Sequence, residues 1–282
     1  MPQHPAIAKG RVAVITGAAS GIGLAAAEKF AALGMKVCLA DNSADMLAKA
    51  EAHVARHAAD KGDVRRFVTD VSKPDDVHRL RDAAYGAFGE VAVLMNNAGI
   101  GIDGALFGDP ANWRRLIEVN LWGVINGVQA FGPAMIGQGT SCAIVNTGSK
   151  QGITCPPGNT AYNVSKAGVK VVTEALAHEL RNTAGRKVSA HLLIPGFTFT
   201  GITAAKEKPP GAWSAVEVVE FMLPAMARGD FYILCPDNDV TREIDNARIL
   251  WAAEDITENR PPLSRWHADY KQPFADYLKR RG

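Results

Sequence analysis

Short runs of Val, Ile, Leu and Ala recur along the chain, separated by longer stretches in which apolar and polar residues alternate with helical spacing. Residues 12–16, 36–40, 64–69, 91–95, 143–147 and 188–194 read as strands, because each is a brief, nearly continuous apolar run bounded by turn formers. Between them, 21–33, 44–58, 74–88, 113–135 and 161–181 carry the amphipathic period of helices. A strand apolar along its whole length is buried on both faces, which points to a parallel sheet covered by helices on each side. Right-handed crossovers then wind the chain into a three-layer α/β/α sandwich around a doubly wound sheet.

No stretch rich in Gly, Ser or Pro divides the chain, and no repeat of fixed period is present, so residues 1–282 are expected to form a single domain. The nearest approach to a break is 197–213, with Pro209, Pro210 and Gly211. Beyond it, 214–227 reads as a helix and 231–235 as a last strand. Residues 236–282 form an extension with one amphipathic stretch (241–253) and a polar, aromatic end holding Arg265, Trp266, His267 and Tyr270. Lys279, Arg280 and Arg281 read as a solvated tail.

Charge adds little. With 31 basic and 29 acidic residues the formal net charge is +2, which gives no reason to expect nucleic acid or a membrane surface as partner. No apolar run approaches the ~18 residues of a membrane span. Residues 1–10 lack the apolar core of a secretory signal, so the expected location is the cytoplasm. The four cysteines, Cys38, Cys142, Cys155 and Cys235, have no metal-ligand spacing and are expected to be reduced thiols.

The first candidate for chemistry is Thr16-Gly17-Ala18-Ala19-Ser20-Gly21-Ile22-Gly23, which follows the first predicted strand and opens the first helix. Glycines there allow a sharp turn and close approach of the backbone to a pyrophosphate, which the N–H groups of the helix start would hold. The spacing G-x-x-x-G-x-G differs from the commoner G-x-G-x-x-G, and a bare glycine cluster could be only a tight turn. Its strand–turn–helix context favours a dinucleotide and a Rossmann-type fold. Asp41 closes the second strand 18 residues beyond Gly23. A carboxylate there would accept hydrogen bonds from the adenosine ribose and repel the extra phosphate of NADP. With uncharged Ser20 and Asn42 nearby, the expected cofactor is NAD. The plainer role for Asp41, capping the helix that starts near Ala44, is compatible with this.

The second candidate is Tyr162 and Lys166, four apart on one helix face. Hydride transfer needs a partner for the proton of the reacting oxygen. Free tyrosine, with a pKa near 10, is a weak base, and a nearby ammonium favours its phenolate. The pair alone is common by chance. It is joined by Ser149 just past the end of the strand 143–147, by Asn96-Asn97-Ala98-Gly99 after another strand, by Asn120 in a helical stretch, and by Pro195-Gly196 after the strand ending at Ile194.

Together these motifs, in this order, resemble the short-chain dehydrogenase/reductase family over roughly residues 11–235. The resemblance implies that Ser149 bonds the substrate oxygen and Tyr162 transfers the proton. Lys166 would lower the tyrosine pKa and hold the nicotinamide ribose, and Asn120 would maintain a water-linked proton path to the lysine. It also implies that Gly17, Ser20, Gly21, Ile22, Gly23, Asp41, Asn42, Asp70, Val71, Asn97, Ala98, Gly99, Tyr162, Lys166, Pro195, Gly196, Thr198 and Thr200 contact the dinucleotide, with Asp70 and Val71 beside the adenine. The implied activity is hydride exchange between NAD(H) and a secondary alcohol or ketone, without metal. The alternatives are a non-catalytic NAD sensor or scaffold on the same fold, and sugar-nucleotide epimerisation or dehydration, for which the 47 residues after Cys235 are few.

Two features depart from the family pattern. Gly148 stands where a second serine is frequent, and the family's usual glycine-containing ending is absent. That ending often builds a tetramer contact, so a homodimer or a homotetramer is expected. Gly123 and Gly127, one turn apart, suggest close backbone approach either between subunits or within one. Phe197, Phe199, Ile202 and Trp213 bracket the segment resembling the substrate lid. They favour an apolar or aromatic substrate over simple loop packing no more than equally. Lys150 and Gln151, beside Ser149, could meet a polar substrate group or be solvated. His178 and His191 receive no role.

Overall fold

The computed structural model describes residues 3–183, 185, 187–201 and 207–281. Seven parallel strands form the main sheet in the order β3-β2-β1-β4-β5-β6-β9. They are β1 (Val12–Thr16), β2 (Lys36–Asp41), β3 (Val64–Val68), β4 (Val93–Asn96), β5 (Cys142–Thr147), β6 (Val188–Ile194) and β9 (Tyr232–Leu234). A two-residue pair, β7 (Thr198–Phe199) with β8 (Trp213–Ser214), stands apart from it.

Alternation along each strand explains the continuous apolar runs. Ala13, Ile15, Val37, Leu39, Ala143 and Val145 face one core. Val12, Val14, Cys38, Ala40, Cys142 and Ile144 face the other. The first face is covered by α1 (Gly21–Ala32), α2 (Ala44–Val54) and α8 (Ala215–Arg228). The second is covered by α3 (Pro74–Phe88), α5 (Gly123–Gly137) and the end of α7 (Thr160–Asn182). This is the Rossmann-type α/β/α sandwich.

The stretch 113–135, read as one helix, is three pieces: α4 (Pro110–Ile117), a π turn (Glu118–Trp122) and α5. Gly123 and Gly127 serve packing within the chain. A Cβ on Gly127 would fall 2.0 Å from Asn96 Oδ1, and one on Gly123 2.7 Å from Val71 Cγ2.

The extension has its own small core. Trp251 of α9 (Arg242–Thr257) packs with Ala247 and with Tyr277 of α10 (Lys271–Arg281). The end read as a solvated tail is therefore helical, although Lys279 remains exposed. Trp251 Nε1 donates to Ser264 Oγ at 2.7 Å, and Ser264 Oγ donates to Asp255 at 2.6 Å. The Arg260 guanidinium lies 4.0 Å from the Trp251 ring centroid. Among the described residues no helix is long and apolar enough to cross a membrane. The four cysteines are free thiols.

Candidate active site

The sheet order reverses between β1 and β4, and a cleft of about 970 Å³ opens at the carboxyl ends of these strands. That is where open α/β sheets bind ligands. Thr16 ties the two strand ends together: its hydroxyl accepts the N–H groups of Asn97 (3.0 Å) and Ala98 (3.1 Å). Asn97 Nδ2 returns a bond to the Thr16 carbonyl at 3.1 Å.

The glycine loop fits a dinucleotide. Gly17 and Gly21 hold φ of +65° and +55°, and a Cβ on Gly17 would lie 2.8 Å from Ala98 Cα. Gly23 has a different task, since its Cβ would fall 2.2 Å from the Gly17 carbonyl oxygen. Gly23 thus lets α1 close onto the loop and does not itself line the cleft. The unpaired N–H groups of the first turn of α1 are the natural seat of a phosphate.

Asp41 lines the cleft beyond this loop with Asn42. Its carboxylate accepts the N–H groups of Ala19 (3.2 Å) and Ser43 (3.1 Å). The cap of α2 is Ser43, whose hydroxyl accepts from Met46 N at 3.4 Å, so the capping role considered for Asp41 belongs to its neighbour. Asp70, Val71, Ala98 and Gly99 continue the wall, joined by Arg115, which the sequence motifs did not point to. Hydrogen bonds from Ser72 hold the Asp70 carboxyl below its usual range, against the opposing effect of burial.

Ser149, Tyr162 and Lys166 line the other end of the cleft, with Pro195, Gly196, Thr198 and Thr200 opposite. Ser149 and Tyr162 share this wall of the cleft, and Ser149 Oγ accepts Gln151 N at 3.2 Å. Lys166 is buried, and its Nζ donates to the Thr147 carbonyl at 2.8 Å, 5.9 Å from the Tyr162 ring centroid. Burial pushes the Tyr162 phenol up, partly offset by the nearby Ser149 hydroxyl. Burial also pulls Lys166 down to about 8. Desolvation by the cleft wall is the largest influence on both groups.

Asn120 does not line the cleft. It is fully buried in the π turn, where its Oδ1 accepts Ile100 N at 2.8 Å and its Nδ2 donates to Ile100 O at 3.0 Å. π turns are often found at functional sites. A Cβ on Gly99 would lie 3.3 Å from Asn120 Oδ1 and 3.7 Å from Lys166 Nζ, so Gly99 separates the two side chains. Asn159 is a residue the motifs missed. As N-cap of α7 its Oδ1 accepts Tyr162 N at 3.2 Å, while its Nδ2 donates to Ile102 O at 2.8 Å. An Asn three residues before Tyr162, at a helix start, was the available signal.

Of the aromatic residues bracketing the lid-like segment, Phe197 lines the cleft. Trp213 packs against Phe221 of α8, ring centroids 5.8 Å apart, and Phe199 belongs to β7. Ile202 lies outside the described residues. Lys150 also lines the cleft, but its ammonium is committed to Asp237 (3.1 Å) and Asp245 (2.6 Å), which removes it as a ready partner for substrate. His191, given no role, is buried in a chain with His4 and Ser189.

The sequence profile of the short chain dehydrogenase family matches residues 11–210. A 1-deoxy-11-beta-hydroxypentalenate dehydrogenase of Streptomyces exfoliatus is 31% identical over 266 residues, 92% of this chain and 94% of its own. A short-chain dehydrogenase/reductase from Burkholderia phymatum, solved in complex with NAD, is 38% identical with a TM-score of 0.81, covering 91% of this chain and 97% of its own. An alcohol dehydrogenase of Thermococcus sibiricus, complexed with 5-hydroxy-NADP, is 29% identical with a TM-score of 0.66, covering 74% and 87%. The chain belongs to the short-chain dehydrogenase/reductase family of oxidoreductases.

Proposed function

We propose that the protein transfers a hydride between NAD(H) and a small secondary alcohol or ketone, with Tyr162 as general acid and base. The observation that carries this reading is one cleft with a glycine loop and Asp41 at one end and Ser149 and Tyr162 at the other, with Lys166 buried behind them. The nicotinamide supplies the hydride acceptor or donor when bound, and its oxidised ring adds a positive charge to the site. The protein's own part is to align and to move a proton. Ser149 donates a hydrogen bond to the reacting oxygen. The Tyr162 hydroxyl gives its proton to a ketone oxygen on reduction and, as phenolate, takes it back on oxidation. Lys166, buried behind Tyr162, steadies the phenolate through its ammonium.

Gly17, Ser20, Gly21 and Ile22 would hold the pyrophosphate, and Asp41 with Asn42 the adenosine ribose. Asp70 and Val71 would flank the adenine. Asn97, Ala98, Gly99, Pro195, Gly196, Thr198, Thr200, Tyr162 and Lys166 would enclose the nicotinamide half. The preference for NAD rests on Asp41, because its carboxylate would repel a 2′-phosphate; relatives with either dinucleotide are known. Asn120 acts through Ile100 by fixing the loop that covers Gly99. Ile100, Ile102 and Phe197 make the substrate end partly apolar, which suits an apolar or aromatic alcohol or ketone. We further infer a single catalytic domain with residues 236–282 as an extension, working in the cytoplasm as a homodimer or homotetramer, without nucleic acid or membrane.

The test is absorbance at the NADH wavelength with a panel of secondary alcohols and ketones, using NAD(H) and NADP(H) side by side. Turnover with NAD(H) is expected, and Tyr162→Phe should lower kcat by about 10²–10⁴-fold while NADH still binds. Near-normal turnover in that variant overturns the role of Tyr162. Tight NADH binding without turnover across the panel would favour the sensor reading.

A further inference from the structure

Residues 237–240 make a tight turn directly after β9, closed by Asp237 N to Val240 O at 3.2 Å. From this turn two side chains reach the two ends of the lid-like excursion, the stretch of chain between β6 and α8. Asp237 Oδ2 accepts Phe197 N at 3.2 Å. Asn238 Nδ2 donates to Pro210 O at 2.7 Å, and its backbone N–H bonds Gly211 O at 3.1 Å. Both feet of the excursion are therefore held by one turn. Contact is close enough that a Cβ on Gly196 would fall 2.5 Å from Asp237 Oδ2, and one on Gly211 1.9 Å from Asp239 Oδ2.

The same Asp237 oxygen pairs with Lys150 Nζ at 3.1 Å, and Lys150 also reaches Asp245 in the first turn of α9 at 2.6 Å. The three side chains are 17%, 6% and 6% exposed. Lys150 directly follows Ser149, and its backbone N–H bonds the Pro195 carbonyl at 3.3 Å. Such a buried ionic cluster adds little stability over well-packed apolar side chains, since desolvation offsets the attraction. Its distinguishing product is geometry. One carboxylate fixes the Ser149 loop through Lys150 and the Gly196–Phe197 backbone through a direct hydrogen bond.

We propose that Asp237 is a positioning residue: with Asn238 and Lys150 it forms a clamp through which residues 236–282 hold the nicotinamide-side loop, the Ser149 loop and both feet of the lid-like excursion in register. The proposal rests on the dinucleotide reading above. It also defines what the extension contributes in place of the family's usual ending.

The test compares the wild-type chain with Asp237→Ala, Asp237→Asn and Asn238→Ala, reading NADH affinity, steady-state kinetics, melting temperature and hydrogen exchange by mass spectrometry. Losing a charged hydrogen-bond acceptor at the cofactor loop is expected to weaken NADH binding and raise the dinucleotide KM about tenfold. kcat should change less, because Tyr162 is held separately by Asn159. Exchange should accelerate about tenfold in peptides covering 196–200, without a matching increase in the sheet. Asp237→Asn, which keeps an oxygen for the Phe197 N–H, should recover most of the affinity. Asn238→Ala should accelerate exchange at 209–214 alone, and it keeps the test open should Asp237→Ala fail to fold. Unchanged NADH affinity together with unchanged exchange at 196–200 overturns the clamp. So does an increase spread evenly over the whole sheet, the mark of general destabilisation. Should the wild-type chain bind no NADH, the cofactor reading fails, while the exchange pattern still decides whether the clamp exists.

Discussion

At the scale of single residues, position in the hydrogen-bond pattern decides what a side chain can do. The His4–Ser189–His191 chain is one case. His191 Nδ1 must donate to the Asp230 carbonyl (2.7 Å), and its Nε2 meets Ser189 Oγ at 2.9 Å, a hydroxyl that also reaches the Cys142 carbonyl at 3.3 Å. His4 Nδ1 accepts Ala6 N at 3.1 Å, so its Nε2 is the donor to Ser189 Oγ (3.1 Å). His4, with an accepting Nδ1, is therefore neutral. Burial pulls His4 down to about 4 and lowers His191 too. Between the unfolded value near 6.5 and about 4, the unfolded chain binds more protons, so stability falls as pH drops through that window and levels off below it. The melting temperature of the wild-type chain should fall from pH 6.5 to 4 more steeply than that of His4→Gln, measured by thermal unfolding at each pH. Equal slopes would mean that His4 makes no contribution. Asp41 carries a second expectation. Replacing it with Ala removes the negative charge that opposes a 2′-phosphate, and the NAD over NADP preference in kcat/KM should narrow by about tenfold or more, the scale of one charge-assisted contact. An unchanged ratio would move cofactor choice elsewhere in the cleft.

At the scale of elements, steric fit overrides local propensity. Alanine usually exceeds glycine inside a helix by about 1 kcal/mol. At Gly127 of α5 the sign should reverse. The added Cβ would lie 2.0 Å from Asn96 Oδ1. Asn96 cannot easily yield, because its Nδ2 is bonded to Asn146 (2.8 Å), which in turn donates to Thr173 (3.0 Å). Overpacking of this kind costs about 1–3 kcal/mol, so Gly127→Ala should be net destabilising in chemical denaturation. This contact also marks what the sequence could reveal. Glycines one turn apart show that something approaches closely, but whether it comes from the same subunit is a tertiary fact. β1, β6 and α3 were legible to the residue because Gly or Pro punctuates apolar runs of ordinary length. The π turn at Asn120 was not, since one extra residue in a helical turn leaves the apolar period nearly intact. That Ser149, Tyr162 and Lys166 meet at one cleft was legible through motif order. Asn159 and the Lys150–Asp237–Asp245 cluster were hidden, the first behind an ordinary helix cap and the second because its members are separated by as many as 95 positions in the chain.

At the scale of the whole molecule, the extension after β9 has two separable jobs. Its first turn and the start of α9 carry Asp237, Asn238 and Asp245, which face the cleft-side loops. Two turns further along α9, Trp251 anchors a local core with Tyr277, Phe274 and Tyr270, their ring centroids 5.0, 5.2 and 6.3 Å away. The polar sequence of α10 concealed this core, although Tyr270, Phe274 and Tyr277 already share a helical face. Removing the indole should cost about 3–5 kcal/mol locally, through lost packing and lost contacts with Ser264 and Arg260. Because this cluster is distinct from the two cores that flank the sheet, Trp251→Ala should loosen α10 without opening the main sheet. Limited trypsin digestion should cut at Lys271 and Lys279 much faster than in the wild-type chain. NADH affinity should stay within about twofold, since no contact of the clamp involves Trp251. A variant that loses NADH affinity as severely as Asp237→Ala would show instead that the helices α9 and α10 hold the clamp as one cooperative unit.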